Sequence, residues 1–309
     1  MTHPDPETAD GTIDGDAGVP GPGVSAPLFT AQLDPGLDEA LHRFVAHPRI
    51  VVGLDFDGVL APLVLDPTTS RVLPASAEAV VRLAGLPDVE VAVVSGRDAE
   101  DLVALADLPD KTRVIGSHGA QWGRSAVGPD GAARLAADPV DLTEDQAVLR
   151  AELLRETEAL AAPVDGAWVQ AKPTAIVVHT RPAGQEQAET LTRQVLDGPG
   201  AREGVRVILG KEVIELAVVA VTKGDALLEL RSAVGADAAL YAGDDTTDED
   251  AFTVLDAATG DVPLKVGDGA TRAAYRVADP DELSAVLLRL AELRERVRPA
   301  ISQETDTFP

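Results

Sequence analysis

Asp55 and Asp57 stand one residue apart at the end of the apolar run Ile50-Val51-Val52-Gly53-Leu54, and Gly58 follows them. Carboxylates placed this way suit a hard divalent cation such as Mg²⁺, and either one can also act as a covalent nucleophile. A continuously apolar run of this length reads as a strand buried on both faces, as in the middle of a parallel sheet. In open α/β sheets the carboxyl ends of such strands form the rim where ligands bind. The same residues also spell an Asp-Gly turn with both carboxylates in water, so the pair alone leaves two readings open.

Other chemistry-bearing groups end other elements. The run Val89–Val94 leads into Ser95-Gly96-Arg97, and the run from Ala238 leads into Gly243-Asp244-Asp245, with Asp248 beyond. Lys223 opens a helix between them. On a parallel sheet these ends converge on one rim. Each has a role in phosphoryl transfer. An Asp can accept the phosphoryl group, and a second Asp two residues on can protonate the leaving alkoxide and then activate water. A Ser hydroxyl, backbone N–H groups and a Lys ammonium can hold the phosphoryl oxygens. The structural alternatives are a solvated Lys223, Ser95 as N-cap of the next helix, and Asp244 or Asp245 as N-cap of the helix after them. Arg97 reads as a structural or gating salt-bridge partner rather than a catalytic group.

The elements that would position these groups alternate along the chain. Helix Leu37–Ala46 leads to the Asp55 strand. Helix Ala75–Ala84, strand Val89–Val94, helix Ala99–Ala106 and strand Arg113–Gly116 continue an α/β rhythm. The polar, glycine-rich Gly123–Gly131 reads as an exit from this first unit. Helix Glu144–Ala162, strands Trp168–Gln170 and Ala175–Thr180, helix Gln185–Leu196 and strands Val205–Leu209 and Glu212–Leu216 then form an α+β insert. The rhythm resumes at Thr222 and closes with short strands at Val262–Val266 and Arg276–Ala278 and the helix Pro280–Val297. The expected organisation is a tail over 1–34, a core over 35–126 and 218–298, an inserted unit over 127–217, and a C-terminal tail over 299–309.

Composition narrows the class. The 309 residues are 45% hydrophobic but only 3% aromatic, so Ala, Val and Leu must build the core. With 26 basic against 52 acidic residues the net charge is −26, which argues against nucleic acid or an anionic membrane as partner. There is no cysteine, so disulfides and thiolate metal sites are excluded, and the five histidines show no zinc-type spacing. The start of the chain lacks the pattern of a signal peptide and no run approaches a membrane span, so a cytoplasmic location is expected.

Taken together, Asp55-Phe56-Asp57-Gly58, Ser95-Gly96-Arg97, Lys223-Gly224 and Gly243–Asp248 resemble the four ordered motifs of the haloacid dehalogenase superfamily. More narrowly the chain resembles the trehalose-6-phosphate phosphatases, through Gly-x-His-Gly at Gly116–Gly119, Lys172…His179-x-Arg181, Gly210-Lys211-x-Val213-x-Glu215 and Gly-Asp-Asp-x-Thr-Asp-Glu at Gly243–Glu249. The resemblance covers roughly residues 49–290. It implies an α/β fold: a Rossmann-like parallel sheet with helices on both faces and an inserted α+β cap. It further implies a Mg²⁺-dependent phosphatase acting on a small sugar phosphate, with a trehalose-phosphate synthase as a candidate partner. Asp55 would be nucleophile and metal ligand, and Asp57 the general acid/base with its backbone carbonyl on the metal. Asp244 would complete the protein ligands, with Asp248 or Asp245 assisting. Ser95 and Lys223 would hold the phosphoryl group. Gly96, Arg97, His118, Lys172, His179, Arg181, Lys211 and Glu215 would line the substrate site, with Lys172, Lys211 and Glu215 on sugar hydroxyls.

The chain departs from that family's pattern at four places. Gln170 stands where an acid commonly precedes the cap lysine, Ser117 and Gln121 replace Asn and Glu around His118, and Ala217-Val218 replace Arg-Pro. All bear on sugar recognition. Sucrose 6-phosphate, glucosylglycerol phosphate and mannosyl-3-phosphoglycerate therefore stay open as substrates. A phosphomutase and a non-catalytic sugar-phosphate-binding partner of a synthase are the readings of other classes.

Overall fold

A computed structural model describes residues 33–129, 131–210 and 212–297 of the chain. The two expected tails fall almost wholly outside that range. Asp34, assigned to the first tail by its sequence, is instead the N-cap of the first helix, its carboxylate accepting from Leu37 N–H.

The chain runs α1 (Pro35–Val45), β1 (Ile50–Leu54), α2 (Pro74–Ala84), β2 (Val89–Val94), α3 (Ala99–Ala106) and β3 (Arg113–Gly116). It continues with β4 (Gln121–Val127), β5 (Ala133–Ala137), α4 (Glu144–Ala161), β6 (Trp168–Ala171), β7 (Ala175–His179), α5 (Gln185–Asp197), β8 (Arg206–Gly210) and β9 (Val213–Ala217). The last elements are α6 (Lys223–Val234), β10 (Ala238–Gly243), α7 (Glu249–Thr253), β11 (Val262–Val266), β12 (Tyr275–Val277) and α8 (Pro280–Arg296).

Eight strands form the main sheet in the order β12-β11-β10-β1-β2-β3-β4-β5. The pairs from β12 to β3 are parallel, and β4 and β5 add antiparallel at one edge. Strands are added outward from β1 first on one side, as β2 and β3, and later on the other, as β10 to β12, so β1 ends at a topological switch point. Its burial explains its composition. Ile50, Val52 and Leu54 face a cluster with Phe44, Leu83 and Leu287, while Val51 faces Leu227, Tyr241 and Phe252 on the other side. With water excluded from both faces, each such side chain contributes about 1.5–3 kcal/mol of burial.

The segment Gly123–Val127, which reads as an exit loop, is part of β4. Its inward positions are small or polar, which hides the strand period. Gly123 passes so close to β5 that a Cβ would lie 2.7 Å from the Ala136 carbonyl oxygen. Ser125 is buried and donates to Leu108 O at 3.1 Å.

Four antiparallel strands in the order β6-β7-β9-β8 make a second sheet. Helices α4 and α5 cover one of its faces, where Leu153, Leu191, Ile176, Val178, Ile214 and Leu216 form a separate core. By the two-residue period of strands, Trp168, Gln170, Val177 and Glu215 belong to the opposite face. Among the described residues no helix is long and apolar enough to cross a membrane.

Candidate active site

Asp55 follows β1 directly and is fixed by its own N–H, which donates to Ala242 O of β10 at 2.9 Å. Asp244 follows β10 in the same way, and Asp248 lies in the short turn before α7. The carboxylates of Asp55, Asp244 and Asp248 bring ligand oxygens within 4.8 Å of one another. Glycine makes this crowding feasible. Gly58 adopts φ +75°, and a Cβ there would meet Asp244 Oδ2 at 2.1 Å. A Cβ on Gly243 would meet Asp248 Cγ at 2.3 Å.

Lys223 is the first residue of α6, whose start is fixed by a capping box between Thr222 and Asp225. That start aims a buried ammonium into the acidic cluster, with Nζ 2.7 Å from Asp248 Oδ1 and 3.0 Å from Asp55 Oδ2. Burial works against the Lys223 charge, but Asp248 and Asp55 outweigh it and hold its pKa above the usual lysine value. Burial likewise pushes Asp55 well above the ordinary carboxylate range, opposed by Lys223 and reinforced by Asp248 and Asp244. Asp244 is pushed up to about 6 by burial and then by Asp248. Asp248 is buried too, yet Lys223 dominates and holds it below the ordinary value.

Asp248 has both oxygens engaged. Oδ1 accepts from Lys223 and from Tyr241 Oη at 2.8 Å, and Oδ2 accepts from Asp245 N–H at 2.8 Å. Its hydrogen bonds are those of a residue that locks Lys223 and the acidic turn. Asp245 caps that turn through Thr246 N–H, whereas Asp244 makes no such cap.

The cluster fits a divalent cation on its own chemistry. Two buried carboxylates, Asp55 and Asp248, and the half-buried Asp244 face one ammonium, which leaves negative charge uncompensated, and all the free donors are oxygen. Lys265 offsets it only weakly, since its Nζ donates to the backbone carbonyl of Asp244 rather than to a carboxylate. A cavity of about 370 Å³ lined by Gly58, Leu63, Asp244, Asp268 and Asp279, among others, reaches the cluster from the β11 side.

Asp57 stands apart from the acidic cluster. Arg97 grips it with Nε 2.6 Å from Oδ2 and Nη2 2.7 Å from Oδ1. Ser70 Oγ donates to Asp57 Oδ1 at 3.1 Å, and the guanidinium lies 5.2 Å over the Phe56 ring. Ser95, at the end of β2, is buried and its Oγ accepts from Arg97 N–H at 3.2 Å. It does not cap α3, since Asp98 does so through Glu100 N–H, and Gln121 reinforces that helix start through Ala99 N–H and the Asp98 carboxylate.

Ser117 and His118 both take positive φ, 46° and 57°, and the Ser117 hydroxyl and His118 Nδ1 are buried without a hydrogen-bond partner. Paired positive φ at non-glycine residues stores strain of the kind found at functional sites. The His118 ring occupies the place a Cβ on Gly96 would need, 2.5 Å from Cε1. Burial and the nearby Lys223, Lys172 and Arg206 hold its pKa down to about 3, so the imidazole is neutral.

The second sheet brings Lys172 and Glu215 to the same place. Lys172 Nζ is 2.8 Å from Glu215 Oε2 and donates to Gly96 O at 3.0 Å. His179 lies further out, its Nε2 donating to Gln170 Oε1 at 3.0 Å and its ring stacked on Trp168. Arg181 pairs with Glu212 and donates to Leu65 O at 2.7 Å. His179 and Arg181 are thus at the rim of the site rather than at the phosphoryl-transfer groups. Lys211 lies outside the described residues.

The sequence reading missed Tyr241 and Ser70. Tyr241 reads as a core aromatic in a buried strand, and only its partner Asp248, seven residues on, reveals the hydroxyl's use. Nothing local marks Ser70.

Residues 53–281 match the family model described as trehalose-phosphatase. The trehalose-phosphate phosphatase of Mycobacterium tuberculosis is 34% identical over 261 residues, 79% of this chain and 62% of that protein. That of Mycolicibacterium paratuberculosis is 34% identical over 268 residues, 81% of this chain and 63% of the relative. The chain therefore spans a little over three fifths of the length of these curated relatives. Among solved structures, the C-terminal domain of Candida albicans trehalose-6-phosphate phosphatase superposes with a TM-score of 0.66 at 21% identity, covering 83% of this chain and 97% of that one. That likeness concerns the fold alone: an α/β core with an inserted second sheet.

Proposed function

The chain belongs to the trehalose-phosphatase family, and on that footing we propose that it hydrolyses trehalose 6-phosphate to trehalose and phosphate through a phosphorylated Asp55. The observation that carries the reading is the buried carboxylate of Asp55, 3.0 Å from the Lys223 ammonium, with Asp244 beside it and Asp57 two residues on.

Mg²⁺ would be held by the Asp55 and Asp244 carboxylates and the Asp57 carbonyl, and would supply charge neutralisation between an anionic nucleophile and an anionic substrate. Lys223 and the backbone around Ser95 and Gly96 would orient the phosphoryl oxygens, with the Ser95 hydroxyl beside them. Asp55 attacks phosphorus as the bond to the sugar oxygen breaks, and Asp57 gives its proton to the departing alkoxide. Asp57 then takes a proton from water, which attacks the same phosphorus, releasing phosphate and restoring Asp55. Asp57 must leave Arg97 to reach the leaving oxygen, so the bidentate pair is a resting arrangement.

The unit formed by the second sheet acts as a cap. Lys172, held between Glu215 and Gly96 O, joins it to the core beside the phosphoryl site, and closure there excludes bulk water from the intermediate. Gln170 favours a second reading, in which the sugar is another one. Its amide oxygen is engaged with His179 where the family pattern commonly has an acid. Phosphate release from trehalose 6-phosphate, sucrose 6-phosphate, glucosylglycerol phosphate and mannosyl-3-phosphoglycerate, with Mg²⁺ and then with EDTA, tests both. Fastest Mg²⁺-dependent release from trehalose 6-phosphate supports the first reading, a preference for another substrate overturns it in favour of the second, and no release from any overturns both.

A further inference from the structure

We propose that Trp168, stacked on His179 and flanked by Gln170, is a platform on the cap for the pyranose ring that does not carry the phosphate. The inference rests on the disaccharide-phosphate reading above and extends it to residues outside the phosphoryl-transfer machinery.

The placement follows from strand geometry. Residues 168, 170 and 172 alternate onto one face around β6, the edge strand of the cap sheet. Lys172 marks the inner end of this row, because its Nζ bonds the carbonyl of Gly96, next to Ser95. At about 3.3 Å per residue, Trp168 lies about 13 Å further along the strand. A second sugar ring linked to a phosphorylated one extends in that direction from Lys172. Arg181, two residues beyond His179, ties this same edge to the core at Leu65 O. The platform is therefore on the side of the cap that meets the core loop after Asp57.

Isolated apolar side chains on a surface need no explanation. Trp168 differs because its ring is held. It lies parallel to His179, with 3.7 Å between centroids and 4° between planes, while 49% of the residue stays exposed. His179 is itself fixed by donation from Nε2 to Gln170 Oε1. Burial, then Lys172 and Arg181, hold His179 down to about 4, so the stack is uncharged near neutrality. Gln170 keeps its amide NH₂ as its remaining hydrogen-bonding group. A flat apolar face bordered by an amide donor matches a pyranose, with its C–H face and its rim of hydroxyls. An acid at position 170 would instead favour an imidazolium at His179 and leave no donor for a hydroxyl.

Two measurements test the platform. In steady-state kinetics, Trp168→Ala should raise KM for trehalose 6-phosphate about tenfold with kcat little changed, while p-nitrophenyl phosphate and glucose 6-phosphate are hydrolysed as by the wild type. Trp168→Phe should restore most of the loss. Equal losses on all three substrates, or an unchanged KM, would overturn the proposal. The second measurement does not need turnover. In Trp122→Phe, where Trp168 is the remaining tryptophan, saturating trehalose should change the emission, and Gln170→Ala should weaken that response. Emission indifferent to trehalose overturns the platform. A saturable emission change in a protein that releases no phosphate from trehalose 6-phosphate would overturn the phosphatase reading and leave the platform standing.

Discussion

Arg97 holds both carboxylate oxygens of Asp57 in a fork, at 2.6 and 2.7 Å, while Asp55 two residues earlier is held by Lys223. The two acids of one motif are thus given different cations before substrate arrives. One lies in the buried cluster, and the other stands outside it on a partner from the end of β2. This division matches the roles proposed for them, attack by Asp55 and proton transfer by Asp57.

Asp57→Asn keeps an oxygen for Arg97 to bond and should fold with a near-native melting temperature. It cannot carry the proton, so kcat should fall by about 10²–10⁴. Thermal melts alongside kinetics on trehalose 6-phosphate check both halves, and a stable variant with native kcat would remove Asp57 from the mechanism.

Lys223→Met leaves Asp55 and Asp248 buried without their cation. Breaking a buried pair costs about 3–5 kcal/mol, and urea denaturation should show a loss of that order. Adding Asp248→Asn, which preserves an oxygen for Tyr241, should recover part of it. Additive losses in the double variant would mean that the two residues are not coupled.

Gly58→Ala forces a Cβ to within 2.1 Å of Asp244 Oδ2 at a residue with φ +75°. Asp244 has to turn away, so the Mg²⁺ concentration for half-maximal activity should rise at least tenfold, as when a ligand's supporting contacts are lost. A magnesium titration showing wild-type half-saturation would contradict the metal role of Asp244.

His118 carries a pH dependence whose sign follows from its burial. Its folded pKa is depressed to about 3 from 6.5, so below pH 6.5 the unfolded chain binds more protons. Stability contributed by the neutral ring is complete above that pH and is lost as pH falls toward 3, with a slope of about 1.4 kcal/mol per unit. His118→Asn suits the left-handed backbone there. Denaturation from pH 7 to pH 4 should give a shallower decline for this variant than for the wild type.

The groups that end strands were legible in the sequence because the signal is local: an apolar run, then acids, a serine or a glycine. Asp55, Ser95 and Asp244 are readable in that way, and the α/β order of the elements follows from the same runs. Contacts between distant side chains were not legible. The Arg97 fork on Asp57 spans forty positions, and the engagement of Lys172 with Gly96 joins two sheets. The β4–β5 hairpin escaped for another reason. Its inward residues, Gln121, Gly123 and Ser125, are selected for close backbone approach and hydrogen bonding rather than for apolar burial.

In the proposed reaction Asp55 attacks the phosphoryl group of trehalose 6-phosphate. The most direct test of this step is phosphate release from that substrate with saturating Mg²⁺, comparing the wild type with Asp55→Asn whose mass confirms the substitution. Steady release by the wild type is expected, with a loss of at least about a thousandfold in the variant, consistent with removal of a nucleophile. Comparable rates from the two proteins would contradict it.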